Sequence, residues 1–140
     1  LFHAPGGFTE ANKQAFAAWR AQHADLPITL VNGNHDIFTL PDAWRIKRVD
    51  GPTPGPYFVL MHQPQPPNTG FGLAGHLHPA LIEHTDSGLE MCVPCFWFTD
   101  ALCVLPAFSS VAGLAVIQPD ADNRVFTTHA GRVLHAVIRD

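Results

Sequence analysis

Charge is the first shortage in this chain. Of its 140 residues only 14% are Asp, Glu, Lys or Arg, well below the ~25% usual for soluble domains, while 46% are hydrophobic. That balance excludes a disordered chain. Basic residues are scarcer than acidic ones: 8 Lys and Arg against 12 Asp and Glu, a net charge of −4. No basic field is therefore available to hold a nucleic acid backbone by charge alone, and any such contact has to run through a metal or a local site. Cysteine numbers only 3. That count is odd and too small for a disulfide scaffold, which points to a reducing compartment, the cytoplasm. No apolar run approaches the ~20 residues of a membrane span, so no membrane partner is expected. The opening Leu1-Phe2-His3-Ala4-Pro5 lacks the basic and apolar segments of a signal peptide. Internal repeats and linkers are absent too, and the length suits a single domain over residues 1–140.

What is there in excess is histidine: 9 residues, more than Lys and Arg together. Histidine is the commonest metal ligand and titrates nearest neutrality. The 11 Gly and 13 Pro carry no period, so collagen and low-complexity readings fail. Hydrophobic spacing predicts a helix over Glu10–Asp25, capped by Thr9, with Ala15, Phe16, Trp19 and Leu26 toward the core and Pro27 ending it. Ile28–Val31 reads as a strand buried on both faces, and Thr39–Trp44 as a short helical turn. Arg45–Val49 and Tyr57–Met61 read as strands joined by the turn Asp50–Pro56. Gln63–Gly70 is a proline-rich loop. From Ala80 onward short strands alternate with turn signals, ending in a hairpin of Arg124–His129 and Arg132–Ile138 around Ala130-Gly131. The class is α/β, helical early and strand-rich late.

Three segments place metal-type side chains directly after apolar strands: Val31-Asn32-Gly33-Asn34-His35-Asp36, Val59-Leu60-Met61-His62 and Ala74-Gly75-His76-Leu77-His78. Ligands gather at the carboxyl ends of strands in layered α/β proteins. The glycines before Asn34 and His76 suit tight turns that aim the next side chains. His76 and His78, two apart on an extended strand end, would lie on one face and reach one site. Taken singly each motif has a plainer reading. Gly-Asn-His-Asp is also turn chemistry, and a lone strand-end histidine such as His62 is commonly a hydrogen-bonded, half-buried one. Cys92 and Cys95 have zinc-knuckle spacing, but a second pair is needed and only Cys103 remains. Phe96, Trp97, Phe98 and Phe108 are assigned to core and site rim. His23, His84, His129 and His135 fall on helix or strand surfaces and are assigned no chemistry.

Together, Gly33-Asn34-His35-Asp36, the strand-end His62 and Gly75-His76-Leu77-His78 resemble the last three motif blocks of the calcineurin-like metallophosphoesterases, in order. Within that family the chain is most similar to the bacterial ligase-associated DNA repair phosphoesterases. The features are Leu1-Phe2-His3-Ala4, Gly75–Ala80, Pro94-Cys95-Phe96-Trp97 and Leu105-Pro106-Ala107-Phe108. The family's first two blocks, Asp-x-His and Gly-Asp, do not occur in the sequence. Leu1–Ala4 resembles the stretch after the second of them, so the domain is expected to be incomplete at its N-terminus.

The resemblance implies an αββα fold, a β-sandwich flanked by helices with its first strand–helix unit missing. It implies two divalent ions, Mn²⁺ or else Zn²⁺ or Fe²⁺, in a shell of Asn, His and carboxylate donors. Asn34, His62 and His76 would hold one ion and His78 the other. His35 would protonate the leaving oxygen or hold the phosphoryl oxygens, with Asp36 orienting its ring. The implied activity is hydrolysis of phosphoester bonds by a phosphodiesterase or endonuclease linked to DNA repair. DNA would be the substrate, and ligase and helicase repair proteins would be partners. Two alternatives stand beside it: a small-molecule phosphodiesterase or phosphatase, since fold does not fix substrate, and an inactive fragment that binds one metal or a partner.

Overall fold

The computed structural model describes residues 4–85, 87–110, 112–129 and 132–136. It divides into two compact units, Leu1–Gly51 and Pro52–Asp140.

The first unit runs α1 (Ala4–Gly7), α2 (Glu10–Gln22), β1 (Ile28–Val31), a 3-10 turn (Asp42–Trp44) and β2 (Ile46–Val49). Thr9 caps α2 as expected, its hydroxyl accepting the Asn12 N–H at 3.2 Å; such a cap contributes about 1 kcal/mol. The helix ends at Gln22 rather than Asp25, because His23 leaves the helical region at φ −120° and its N–H turns to the Arg20 carbonyl. The buried face is also rotated from the expected one. Ala15, Trp19 and Leu26 are exposed, and only Phe16 of the four is half-buried. The face that packs is Phe16 with Arg20, one helical turn apart. Phe16 lies 4.6 Å from the Trp44 ring, and buried Arg20 donates its Nε–H to the Trp44 carbonyl at 2.7 Å. A guanidinium can be buried where backbone carbonyls accept its protons, and the His23 carbonyl accepts a second.

Strands β1 and β2 pair in parallel, from Ile28 opposite Ile46 to Val31 opposite Val49. The expected burial of β1 on both faces does not hold. Thr29 is exposed and its neighbours are half-buried, since β1 has one partner, β2, among the described residues. Strand β2 starts at Ile46 because Arg45 adopts the left-handed conformation, φ 49°, in closing the 3-10 turn.

The second unit is a mixed sheet. Its strands are β3 (Thr53–Pro54), β4 (Val59–Met61), β5 (Gly72–Ala74), β6 (Pro79–His84), β7 (Glu90–Phe98), β8 (Leu102–Val104), β9 (Ala115–Val116), β10 (Arg124–His129) and β11 (Arg132–Ala136). The order is β11-β10-β7-β8-β5-β4-β3, with β6 between β7 and β9. The two strands expected around the Asp50–Pro56 turn do not pair with each other. Strand β2 takes β1, and β4 takes β5 in parallel and β3, which forms within that turn. Strand β7 serves two neighbourhoods. Glu90–Pro94 pair with β6, whereas Cys95–Phe98 pair with β10 and, at Trp97 and Phe98, with β8.

At the centre β4, β5 and β8 run parallel, with Gly72 opposite both Val59 and Leu102. A Cβ on Gly72 would sit 3.0 Å from Leu102 Cβ and 3.1 Å from Met61 Cε, so a larger residue there would have to push its neighbours aside. Ala74, Ala80, Cys95, Cys103, Val104 and Val125 are buried. Phe71, Phe98, Phe126 and His135 make successive ring contacts at centroid distances of 6.4, 5.6 and 4.9 Å, stacked, edge to face and tilted in turn, contacts of the kind that stabilise sheets. Phe96, Trp97 and Phe98 are half-buried, whereas Phe108, grouped with them in the sequence, is fully exposed. The terminal hairpin pairs from Val125–Ala136 to His129–Arg132. Its expected turn at Ala130-Gly131, and residues 137–138, lie outside the described residues. No described helix is long and apolar enough to cross a membrane.

Candidate metal centre

Adjacent parallel strands end level with each other when their register is unshifted, and the residues just past those ends become neighbours. Met61 is opposite Ala74 at the ends of β4 and β5. His62 is the next residue on one strand, and Gly75-His76 follow on the other. The Gly75 N–H donates to the His62 carbonyl at 3.1 Å, carrying the ladder one step past the strands. Both imidazoles are half-buried and meet edge to face, with His76 Nδ1 2.9 Å from His62 Nε2. One nitrogen carries the shared proton and the other accepts it.

That spacing also fits a cation. Two nitrogens on one ion at about 2.1 Å and a right angle lie about 3.0 Å apart. The pair could therefore exchange its proton for a divalent metal with little movement. Two imidazoles suit Mn²⁺, Zn²⁺ or Fe²⁺ better than Ca²⁺. Among the described residues no group of three or more His, Cys, Asp or Glu side chains is arranged to hold a metal. From those residue types the pair supplies two donors.

The expectation that His76 and His78 share a face of an extended strand is corrected by the backbone. Both are left-handed, at φ 71° and φ 52°, so strand alternation does not set their directions. Non-glycine residues occupy that region at a cost of order 1–3 kcal/mol and do so mostly at functional sites. The preceding Gly75 has open space around a would-be Cβ and no left-handed φ. The unusual geometry falls on the histidines themselves, not on the glycine expected to supply it. His78 is half-buried, and its Nδ1 lies 2.8 Å from the Gly113 carbonyl. A carbonyl can only accept, so Nδ1 carries hydrogen and Nε2 is left as the donor atom for a metal. The Ala115 N–H, 3.0 Å from the His78 carbonyl, holds the same two segments together.

Asn34, His35 and Asp36 lie in the loop after β1, within the first unit. Asn34 and His35 are exposed at its tip and Asp36 is half-buried. The turn is closed twice: Asp36 N–H to Gly33 carbonyl at 3.0 Å, and Gly33 N–H to Asp36 Oδ2 at 2.9 Å. Asp36 thus fixes the loop that carries His35. Sequence reasoning missed the groups beneath: Asn32, Arg48 and Asp50. The Asn32 amide accepts from Arg48 Nε at 2.8 Å and donates to Asp50 Oδ1 at 2.8 Å. Their role depends on β2 lying parallel to β1 with Arg48 opposite Leu30, a pairing that no residue pattern in the two segments announces.

Comparison with known proteins finds a solved structure of similar fold. The crystal structure of Pseudomonas putida nuclease MPE superposes with a TM-score of 0.81 at 34% sequence identity, over 96% of this chain. The chain spans 65% of the nuclease's own length. No family model matches the sequence, and no curated protein does. The fold therefore resembles that of the Pseudomonas putida nuclease.

All three cysteines are free; Cys92 is exposed, Cys95 and Cys103 buried. Burial, reinforced by the neighbouring Cys92, Cys103 and Glu83, pushes the Cys95 thiol up to about 11, and burial alone does the same for Cys103.

Proposed function

We infer that this chain carries a large part of a calcineurin-like metallophosphoesterase, a phosphodiesterase or endonuclease that cuts DNA during repair in the cytoplasm. The sheet, divided at β7, is read as the two layers of an αββα sandwich. The observation that carries the reading is the His62–His76 pair at neighbouring parallel strand ends. The likeness to a nuclease supplies the substrate class, a nucleic acid.

Asn34, His62 and His76 would hold one divalent ion and His78 a second, with Mn²⁺ the first choice. Such ions supply Lewis-acid polarisation of the phosphoryl group and a nucleophilic water at neutral pH. The chain's own residues do the rest. His35, exposed at the loop tip, donates a proton to the departing oxygen. Asp36 keeps the loop closed and the imidazole oriented. The left-handed turns at His76 and His78 hold Nδ1 of one and Nε2 of the other in place before substrate arrives, so orientation is settled before the reaction. DNA ligase and helicase are the proposed partners.

A second reading is favoured by the lack of any Asp-x-His or Gly-Asp in the 140 residues: these residues by themselves bind one ion without efficient turnover. Both are tested together. The chain is incubated with Mn²⁺ and either single-stranded DNA or a chromogenic phosphodiester, and bound metal is measured. Binding lost in His76→Ala supports the metal reading. Robust turnover that His76→Ala removes would show that the 140 residues suffice, and its absence beside tight binding would support the second reading.

A further inference from the structure

We propose that Phe108 contacts the substrate: its exposed ring stacks on an unpaired base of the nucleic acid whose phosphate sits at the His62–His76 pair. The proposal rests on the reading of the chain as a nuclease. The loop that carries Phe108 follows β8, the strand beside β5. Val104, the last residue of β8, lies opposite Ala74, the last of β5. The parallel strands β4, β5 and β8 therefore end level, and the loop leaves the sheet at the edge where His62 and His76 stand. Both feet of the loop are tied to the histidine segment. At its start the Leu105 N–H donates to the Ala74 carbonyl at 2.8 Å, two residues before His76. At its return the Gly113 carbonyl accepts from His78 Nδ1 at 2.8 Å, and the Ala115 N–H donates to the His78 carbonyl at 3.0 Å.

Between those feet Phe108 is fully exposed. A phenyl ring left in water forgoes the burial that normally fixes an aromatic side chain. Four residues of extended chain span at most about 14 Å, so Phe108 stays within reach of a strand bound at the histidines, a matter of about four nucleotides at ~3.4 Å each. Tyr57, also strongly exposed, precedes β4 and so stands at the opposite end of that strand from His62. Beside Phe108 is an open hollow of about 360 Å³, formed with Pro94, Ala107, Ala112, Leu114 and two serines. None of the described residues that line it is charged, which suits the flat face of a base and not a phosphate. The composition points the same way. With 8 basic residues against 12 acidic ones, affinity for a polyanion has to come from contacts other than a basic field, and base–aromatic stacking is such a contact.

Stacking, charge and plain apolar burial predict different outcomes. The test titrates the 140-residue chain, with Mn²⁺ present, into a dye-labelled single-stranded oligonucleotide and reads fluorescence anisotropy. Phe108→Ala and Phe108→Leu should each weaken binding about 5–150-fold, the worth of one stacked base, whereas Phe108→Trp should keep it. The factor should be the same at about 50 and about 200 mM salt, since a stacked ring releases no counterions. An oligonucleotide built of abasic sugars should bind the parent and Phe108→Ala alike. Mn²⁺ affinity should be unchanged in Phe108→Ala, because the feet of the loop and not its tip hold His78. Full retention by Phe108→Leu, a loss that fades with salt, an equal loss on the abasic strand, or a fall in Mn²⁺ affinity would each overturn the proposal. So would a Phe108→Ala variant that changes only the sedimentation of the chain, which would make the ring a contact between copies. If the parent binds the oligonucleotide and Phe108→Ala binds it as well, the Phe108 proposal alone fails. If the parent binds no oligonucleotide, the nuclease reading fails and takes the proposal with it.

Discussion

In Pro52–Asp140 the candidate ligands are placed by the backbone. Strands β4 and β5 end in register, one further hydrogen bond extends the ladder, and two imidazoles are left 2.9 Å apart. In Leu1–Gly51 the described strands form a single two-stranded pair, and the loop after β1 is placed by side chains: Asn32, Asp36 and Arg48. A buried parallel ladder is stiff, because displacing one strand breaks the hydrogen bonds of both neighbours. A side-chain clamp is local and can be dissolved by one substitution. The two regions therefore differ in how the same kind of chemistry is held, and each can be broken separately.

The largest expected effect falls on the ladder side. His76→Ala should reduce Mn²⁺ affinity by more than the ~100-fold that marks the upper end for merely orienting groups, read by metal analysis after gel filtration. Next comes His35. In a catalytically competent form of the enzyme, His35→Ala should leave metal content intact and slow a poor-leaving-group diester by about 10²–10⁴. With a nitrophenolate leaving group the loss should shrink, because that oxygen departs without a proton. Equal metal loss in His35→Ala and His76→Ala would make His35 a ligand.

The third effect concerns stability and separates two glycines. Gly72→Ala puts a Cβ against Leu102 and Met61 and should cost about 1–3 kcal/mol, as overpacking does. Gly75→Ala, with open space around it, should stay within about 0.5 kcal/mol. Denaturant midpoints of the two variants would show it, and comparable losses would mean that the loop at His76 is as tightly built as the ladder. The smallest effect is a pH dependence. Cys95 and Cys103 rise from 9.0 to about 11 in the folded state. Between those values the unfolded chain gives up protons that the folded one keeps, so stability is full below pH 9 and declines as pH rises toward 11. A Cys95→Ala, Cys103→Ala variant should show a flatter decline of melting temperature over that range than the parent.

How much of this was legible beforehand depends on how local the cause is. The Thr9 cap, the bounds of β1 and the placing of His62 and His76 after strands were readable because each follows from a few adjacent residues. The buried Arg20 was not, since its burial depends on a carbonyl at Trp44 across the unit. The role of Arg48 depends on a strand pairing between segments 18 apart in register, Leu30 and Arg48. The left-handed histidines escaped for another reason: propensity assigns positive φ to glycine, and here Gly75 does not take it. Departures from local rule tend to mark functional positions, and two of them fall on candidate ligands.

The sheet ends unequally. At one margin β3 is two residues long and includes Pro54, which has no N–H to offer, and β9 is as short. Neither can template an additional strand. The opposite margin, β11, runs five residues from Arg132 to Ala136 with Val133 and Leu134 exposed. Of this sheet's described margins it is the one with the length and apolar character to recruit another chain by backbone pairing. Any tendency of this protein to assemble edge to edge, or to aggregate when concentrated, would begin there, and a charged residue at Val133 would be the place to stop it.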